Sequence, residues 1–221
     1  MRTLYRPIYG DGATAAGTHD RGHGFPTALQ HRPTADGTHY PYEGWQAGVK
    51  ELHWGFRPAW MKDKNKAQIN ARAETVFEKL MFEHSALNRR CLVLASGWYE
   101  WQKTATGKQP FAFHRKDNAL FAFAGIWTRW HAEGEESRDS DTYAILTTAA
   151  NPIAAPVHNR MPVILDAGAC TAWLDPAESD ALRLAALLTP YGHDNLDAYP
   201  VSAYVNSPQH DGRQCLEPLT Q

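Results

Sequence analysis

Thr142-Tyr143-Ala144-Ile145-Leu146-Thr147 is an apolar run of strand length with no glycine or proline inside it, and it reads as a β-strand. The same texture recurs on both sides of it. Arg90-Cys91-Leu92-Val93-Leu94-Ala95, Pro110-Phe111-Ala112-Phe113-His114, Leu120-Phe121-Ala122-Phe123-Ala124 and Met161-Pro162-Val163-Ile164-Leu165 are further strand candidates. Turn-like breaks separate them at Thr106-Gly107-Lys108, Lys116-Asp117-Asn118 and the acidic Glu133-Gly134-Glu135-Glu136. Three helices are predicted. Glu74 to Leu87 places Phe77, Leu80, Met81 and Leu87 at helical spacing; Ala167 to Trp173 and Glu178 to Leu188 follow, the last ending before Pro190. Many short strands with few helices predict a mixed, β-rich α+β domain without internal repeats.

The chain has 221 residues, room for one domain with a substantial core. Its formal net charge is −2, so nucleic-acid binding would need a local basic patch rather than global attraction. Cys91, Cys170 and Cys215 are too few and too far apart for a disulfide framework or a CxxC metal pair. No window approaches a membrane-spanning apolar length, and the expectation is a soluble, cytoplasmic protein. Residues 1–50 stand apart. They hold half of the 16 glycines and four of the 11 histidines, with only Leu4, Ile8, Leu29 and Val49 as aliphatics. That stretch is expected to be irregular or poorly ordered, with the packed domain spanning 51–221. His19, His23, His31 and His39 invite a metal reading, but no cysteine or carboxylate set completes a site, and neither a metal nor any other cofactor is expected.

Three polar motifs lie within apolar surroundings. In Ile69-Asn70-Ala71-Arg72-Ala73-Glu74, Asn70 and Arg72 alternate along an extended segment, which puts both side chains on one face. Arg72 offers a rigid fork suited to a phosphate, and Asn70 offers donor and acceptor together. The plainer reading is a hydrogen-bond network where the chain enters a helix. In Gly97-Trp98-Tyr99-Glu100-Trp101, a strand would put Trp98 and Glu100 on one face and Tyr99 and Trp101 on the other. A carboxyl beside indole surface is desolvated, its pKa rises, and it becomes a usable general acid near neutral pH. The plainer reading is a strand-end glutamate in solvent. In Val157-His158-Asn159-Arg160-Met161-Pro162, His158 lies in a proline-flanked loop leading to a strand, although a lone histidine is more often structural. Trp60 precedes charged residues and suits a surface role, whereas Trp54 suits the core. Lys79, Arg89 and Arg90 could extend a basic stripe beside Arg72, or simply be solvated.

Taken together with Trp54-Gly55-Phe56-Arg57-Pro58-Ala59-Trp60, Lys108-Gln109-Pro110, Phe123-Ala124-Gly125-Ile126-Trp127, Ile145-Leu146-Thr147-Thr148 and Pro200-Val201-Ser202 with Val205-Asn206, these motifs resemble the SRAP family, the SOS-response-associated, abasic-site-processing proteins. The resemblance covers about residues 51 to 218. It implies a single domain whose curved antiparallel sheets form a barrel-like core with a few peripheral helices. It also implies a nucleoid-associated monomer that senses abasic sites in single-stranded DNA, with crosslinking or lyase activity and a peptidase (hydrolase) description. Carried over residue by residue, Asn70 and Glu100 would line the pocket and His158 would assist ring opening and proton transfer. Arg72, Arg160 and Lys79 would hold phosphates, and Trp60 would expose the lesion.

The family begins Met-Cys-Gly-Arg, its N-terminal cysteine closing a thiazolidine on the lesion aldehyde; here Arg2 follows Met1, and no motif before Trp54 matches. Arg2 is expected to leave Met1 in place, and the thiazolidine is not expected. The first 50 residues read as a frameshifted or misassigned start, as a divergent N-terminus on a DNA-binding domain, or as a start whose Met1 α-amine, titrating at roughly 7.7–8.0, forms a reversible Schiff base. Two other functions remain open: a non-covalent single-strand-binding module, and a small-molecule hydrolase using Glu100 and His158.

Overall fold

The structure, a computed structural model, describes residues 27–31, 47–130, 140–207, 209–210 and 212–219. His19, His23 and His39, the start of the chain and the acidic 133–136 turn lie outside the described residues. Among the described residues, eleven strands and three short helices make a β-rich α+β fold. The strands are β1 (Thr27–His31), β2 (Ala47–Glu51), β3 (His53–Trp54), β4 (Asn70–Arg72), β5 (Arg90–Ala95), β6 (Gly97–Thr104), β7 (Gly107–Arg115), β8 (Phe121–Trp130), β9 (Ser140–Ala149), β10 (Arg160–Pro162) and β11 (Leu196–Pro200). The helices are α1 (Glu83–Asn88), α2 (Ala167–Leu174) and α3 (Ala181–Ala186).

The larger sheet runs β10-β9-β8-β5-β1-β2, and β3 and β4 pair with β9. Most neighbours are antiparallel, as expected, but β3 and β4 run parallel to β9, with Asn70 opposite Ile145 and Arg72 opposite Thr147. β10 enters where β8 and β9 part. Val163, just after it, donates to the Leu146 carbonyl and accepts the Ala124 N–H, each at 2.9 Å, which curls the sheet toward a half-barrel. The smaller sheet, β11-β7-β6, is fully antiparallel. β1 and β2 fall within the stretch whose composition reads as irregular, yet β1 pairs on one side with β2 and on the other with β5.

Alternation along each strand sorts the side chains into three apolar layers. Between the two sheets lie Cys91 and Val93 of β5, Phe121 and Phe123 of β8, Tyr143 and Ile145 of β9, and Trp98 and Phe113 of the smaller sheet. Trp98 stacks on Phe113 with centroids 4.6 Å apart and meets Phe121 edge-on at 5.4 Å. The other face of the larger sheet carries Leu92, Ala124, Ile126, Ala144 and Leu146 beneath Phe82, Trp173 and Leu184 of the helical layer. Tyr99, Ala112, Val201, Val205 and Cys215 form a third layer outside the smaller sheet. Strands β5, β8 and β9 are covered on both faces, which is why they are almost continuously apolar.

The helix expected from Glu74 to Leu87 is a correction. A 3-10 turn at Ala73–Thr75 and further turns precede α1, which starts only at Glu83. The buried apolar residues are Val76, Phe82 and Ala86, whose spacing does not keep one helical face, while Leu80 is 90% exposed. α2 lies where expected. α3 is shorter than expected because Asp180 caps it, its side chain accepting the N–H groups of Leu182 and Arg183. Strand β11, between Asn195 and Val201, has no counterpart among the predicted strands. Among the described residues no helix is long and apolar enough to cross a membrane.

Candidate functional site

Glu100 sits in the middle of β6, opposite Phe111 of β7 and on the same face as Trp98. That face looks into the aromatic layer between the sheets, and the Glu100 side chain is only 7% exposed. Burial disfavours the carboxylate and pushes the Glu100 carboxyl up to about 7, against a smaller opposing effect of the Trp101 backbone. The desolvation expected from the Trp-Tyr-Glu-Trp run is therefore present, and the solvent-facing alternative is not.

His158 is presented by a loop that is pinned at both ends. The Asn151 side chain accepts the N–H groups of Ile153 and Ala154 at 3.1 and 3.0 Å and donates to the Tyr191 carbonyl at 3.0 Å. The N–H of Val157 and that of His158 both reach the Ala154 carbonyl at 2.9 Å. Gln102, two residues beyond Glu100 on the same face of β6, donates to the Pro156 carbonyl at 2.9 Å and so fastens the loop to the strand. The His158 Nδ1 stands 3.9 Å from Glu100 Oε1, too far for a hydrogen bond. Instead Nδ1 accepts the Arg160 backbone N–H at 3.0 Å. The same Nδ1 lies 3.2 Å from the Arg160 carbonyl oxygen, so the Arg160 backbone meets the ring with both its N–H and its C=O, and either tautomer finds a partner there.

Arg160 crosses back over the sheet. Its guanidinium grips both carboxylate oxygens of Glu74, at 2.5 and 2.8 Å, and also donates to the Thr147 carbonyl. The Arg160 side chain is 14% exposed and that of Glu74 49% exposed. This grip, with a smaller pull from Arg72, holds the Glu74 carboxyl below the usual carboxylate range. Thr147 lies opposite Arg72 in the β4–β9 pair, and its hydroxyl is 3.4 Å from the Ala71 carbonyl. Asn70 and Arg72 share the face of β4 that β9 uses for Ile145 and Thr147. The Asn70 Oδ1 and the Arg160 Nε are buried without a hydrogen-bond partner among the described residues. Arg72 is exposed.

The structure thus brings Glu100 and His158 together and links them through residues 158–160 to Arg160, Glu74, Thr147 and the end of β4. Trp60 and Lys79 lie outside this group. Trp60 is 65% exposed on a loop fixed by buried Met61, whose carbonyl accepts the Trp130 indole N–H at 3.2 Å. Lys79 is exposed in the turns before α1. Glu74, Gln102, Thr147 and Asn151 were not singled out by sequence. Glu74 does carry a signal, since it follows Asn70 and Arg72 at every second position in the sequence, and Asn151-Pro152 is a turn dipeptide. The set supplies one carboxyl that titrates near neutrality, one oriented imidazole and a cation at the rim, which is equipment for moving a proton beside an anionic ligand. Among the described residues no cluster of three histidine, cysteine or carboxylate side chains is placed to hold a metal ion.

A family model described as SOS response associated peptidase (SRAP) matches residues 18–208. The match begins well upstream of Trp54, so the family pattern reaches into the glycine- and histidine-rich stretch. The chain is similar to the abasic site processing protein YoqW of Bacillus subtilis (strain 168), 38% identical over 170 residues, covering 76% of this chain and 75% of that one. It is also similar to the abasic site processing protein HMCES of Gallus gallus, 30% identical over 240 residues, covering 97% of this chain and 67% of the relative. Among solved structures, a protein from Bacteroides thetaiotaomicron is 30% identical, with a TM-score of 0.71 over 78% of this chain and 77% of that one.

Proposed function

The chain belongs to the SRAP family, and from that premise we propose that it processes abasic sites in single-stranded DNA, with Glu100 and His158 moving the protons. The observation that carries this reading is the buried Glu100 carboxyl, titrating at about 7, set 3.9 Å from an imidazole whose orientation the backbone fixes. An abasic sugar is closed as a hemiacetal. Opening it takes a proton from the anomeric hydroxyl and gives one to the ring oxygen. A carboxyl near neutrality does either at little cost, and positioned groups of this kind contribute roughly 10²–10⁴-fold. The His158 Nε2, on the side of the ring away from the Arg160 backbone, offers a second site for giving or taking a proton.

In the same reading Arg72 meets a backbone phosphate at the rim, Lys79 adds charge beside it, and Trp60 offers an exposed indole on which a base can stack. Asn70, with its unpartnered Oδ1 facing the same layer, receives a hydroxyl of the opened sugar.

The test is incubation of the protein with single-stranded DNA carrying one abasic site, with and without borohydride, read by intact mass. A covalent adduct that depends on the abasic site supports the reading, and the modified peptide identifies the attacking group. Binding to DNA with no adduct and no strand cleavage under either condition would make the chain a non-covalent binding module. Absence of any binding would refute the DNA reading.

A further inference from the structure

Glu74 is the residue of this region that the proposed chemistry leaves without a task, and its contacts are the most specific in it. Its carboxylate receives a two-pronged grip from Arg160, 86 positions away in sequence. Arg160 also donates to Thr147 on β9, so one guanidinium ties the start of β10, the C-terminal part of β9 and the turn after β4. The same residue's backbone N–H is the donor that fixes His158 Nδ1. The ion pair and the imidazole contact therefore share one backbone segment, residues 158–160. Arg72, two residues before Glu74, is close enough to lower the Glu74 carboxyl as well. Glu74 thus sets its negative charge against Arg160 by direct contact and, more weakly, against Arg72.

We propose that Glu74 is a positioning residue with two linked effects: it holds Arg160, and through it the His158 ring, in one orientation, and its carboxylate weakens phosphate binding at this rim. A two-point carboxylate–guanidinium contact fixes direction as well as distance, which a single contact does not. Loss of that contact frees the Arg160 side chain and loosens the backbone donor to His158. It also uncovers positive charge where a nucleic-acid phosphate would lie, so the two effects move in opposite directions. A residue that merely supported the fold would weaken orientation and binding together. The charge effect rests on the single-stranded DNA reading; the orientation effect does not.

The experiment compares the full chain with Glu74→Gln and Glu74→Ala. Glutamine keeps the shape and one acceptor, so it reports on charge in a folded protein should alanine unfold it. The first readout is the pair of His158 imidazole nitrogen resonances, which needs no DNA. The wild-type protein is expected to show one fixed tautomer, held at Nδ1 by the Arg160 backbone. The Glu74 variants are expected to show both tautomers averaged, and unchanged resonances in both variants overturn the positioning role. The second readout is affinity for an undamaged single-stranded oligonucleotide across a salt series. Glu74→Gln is expected to bind several-fold more tightly at low salt, with the log–log slope steeper by about 0.7, the share of one added cation. An unchanged slope, or weaker binding, overturns the charge effect. A wild-type protein that binds no single-stranded DNA refutes the proposed function, and the resonances still decide the role of Glu74.

Discussion

The Glu100 Oε1 and the His158 Nδ1 stand 3.9 Å apart, and that nitrogen is already occupied by the Arg160 N–H at 3.0 Å. The two groups are neighbours without being a hydrogen-bonded dyad, so burial, not a partner, is what raises the Glu100 carboxyl. A carboxyl raised in the native state weakens the fold once it ionises. Below its ordinary value of 4.5 both native and unfolded chains hold the proton, and the effect is nil. Between 4.5 and about 7 the unfolded chain has lost the proton and the native chain keeps it, so stability falls as pH rises. Above 7 the full penalty applies, up to about 3 kcal/mol for a shift of this size. Glu100→Gln is therefore expected to stabilise the protein at pH 8 and to leave it nearly unchanged at pH 4. Urea unfolding at the two pH values measures this, and an equal effect at both would show that charge is not the cause.

The same titration sets the pH profile of the proposed reaction. With Glu100 as proton donor, the rate of abasic-site processing falls as pH rises through about 7. Glu100→Gln is expected to lose that limb of the profile and to slow the reaction by roughly 10²–10⁴-fold, with oligonucleotide binding retained. Single-turnover rates from pH 5 to pH 9 on an abasic oligonucleotide check both points.

Much of the scaffold was legible because the central strands are buried on both faces. The boundaries of β5 read directly from Arg90-Cys91-Leu92-Val93-Leu94-Ala95, since no polar residue interrupts the run after Arg90. The helix expected over Glu74 to Leu87 failed for the opposite reason. Leu80 fits the helical stripe in sequence, yet it is exposed, and the chain instead buries Val76 and Phe82 in separate turns. β1 and β2 escaped notice because their sequences, Thr27–His31 and Ala47–Glu51, carry a single aliphatic each, Leu29 and Val49, and are joined by backbone pairing. At the site, the surroundings of Glu100 were readable from its aromatic neighbours on the same strand. The Arg160–Glu74 contact was not, because nothing local joins residues so far apart in the chain.

Gly125 shows how tightly the layer between the sheets is built. A Cβ there would stand 2.8 Å from the Cys91 Sγ and 3.2 Å from a Val93 methyl, both of them on the neighbouring strand β5. Gly125→Ala is expected to destabilise the protein by about 1–3 kcal/mol through overpacking. Gly125→Ala combined with Cys91→Ala, which removes the sulfur atom in the way, is expected to recover part of that loss. Thermal unfolding of the single and double variants checks the pairing; simple additivity would place the clash elsewhere.

Trp60 is exposed enough that the fold does not depend on its ring. Trp60→Ala is expected to leave the melting temperature within error while weakening binding to a single-stranded oligonucleotide by about 1–3 kcal/mol, the contribution of one stacked base. Fluorescence anisotropy and a thermal melt on the same samples separate the two effects. Loss of stability without loss of binding would return Trp60 to a packing role.

Arg90, which the sequence offers as part of a basic stripe, is committed to the fold. Its guanidinium donates to the carbonyls of Trp173, Ala86, Asp175 and Glu178 at 2.5, 3.2, 2.6 and 3.1 Å, and to that of Leu87 as well. These are the orphan carbonyls at the ends of α1 and α2 and in the segment leading to α3, gathered around one buried cation. Its guanidinium lies near the Trp173 ring, 5.7 Å from the centroid. A lysine carries the same charge but only three donors at one point, and it cannot reach carbonyls spread over three segments. Arg90→Lys is therefore expected to cost on the order of 3 kcal/mol despite conserving charge, because several buried carbonyls lose their partners. It should leave the salt dependence of oligonucleotide binding unchanged, whereas Arg72→Ala should flatten it by about 0.7 in slope without a comparable loss of stability. Measured side by side, the two variants separate an arginine that holds helices from one that meets phosphate.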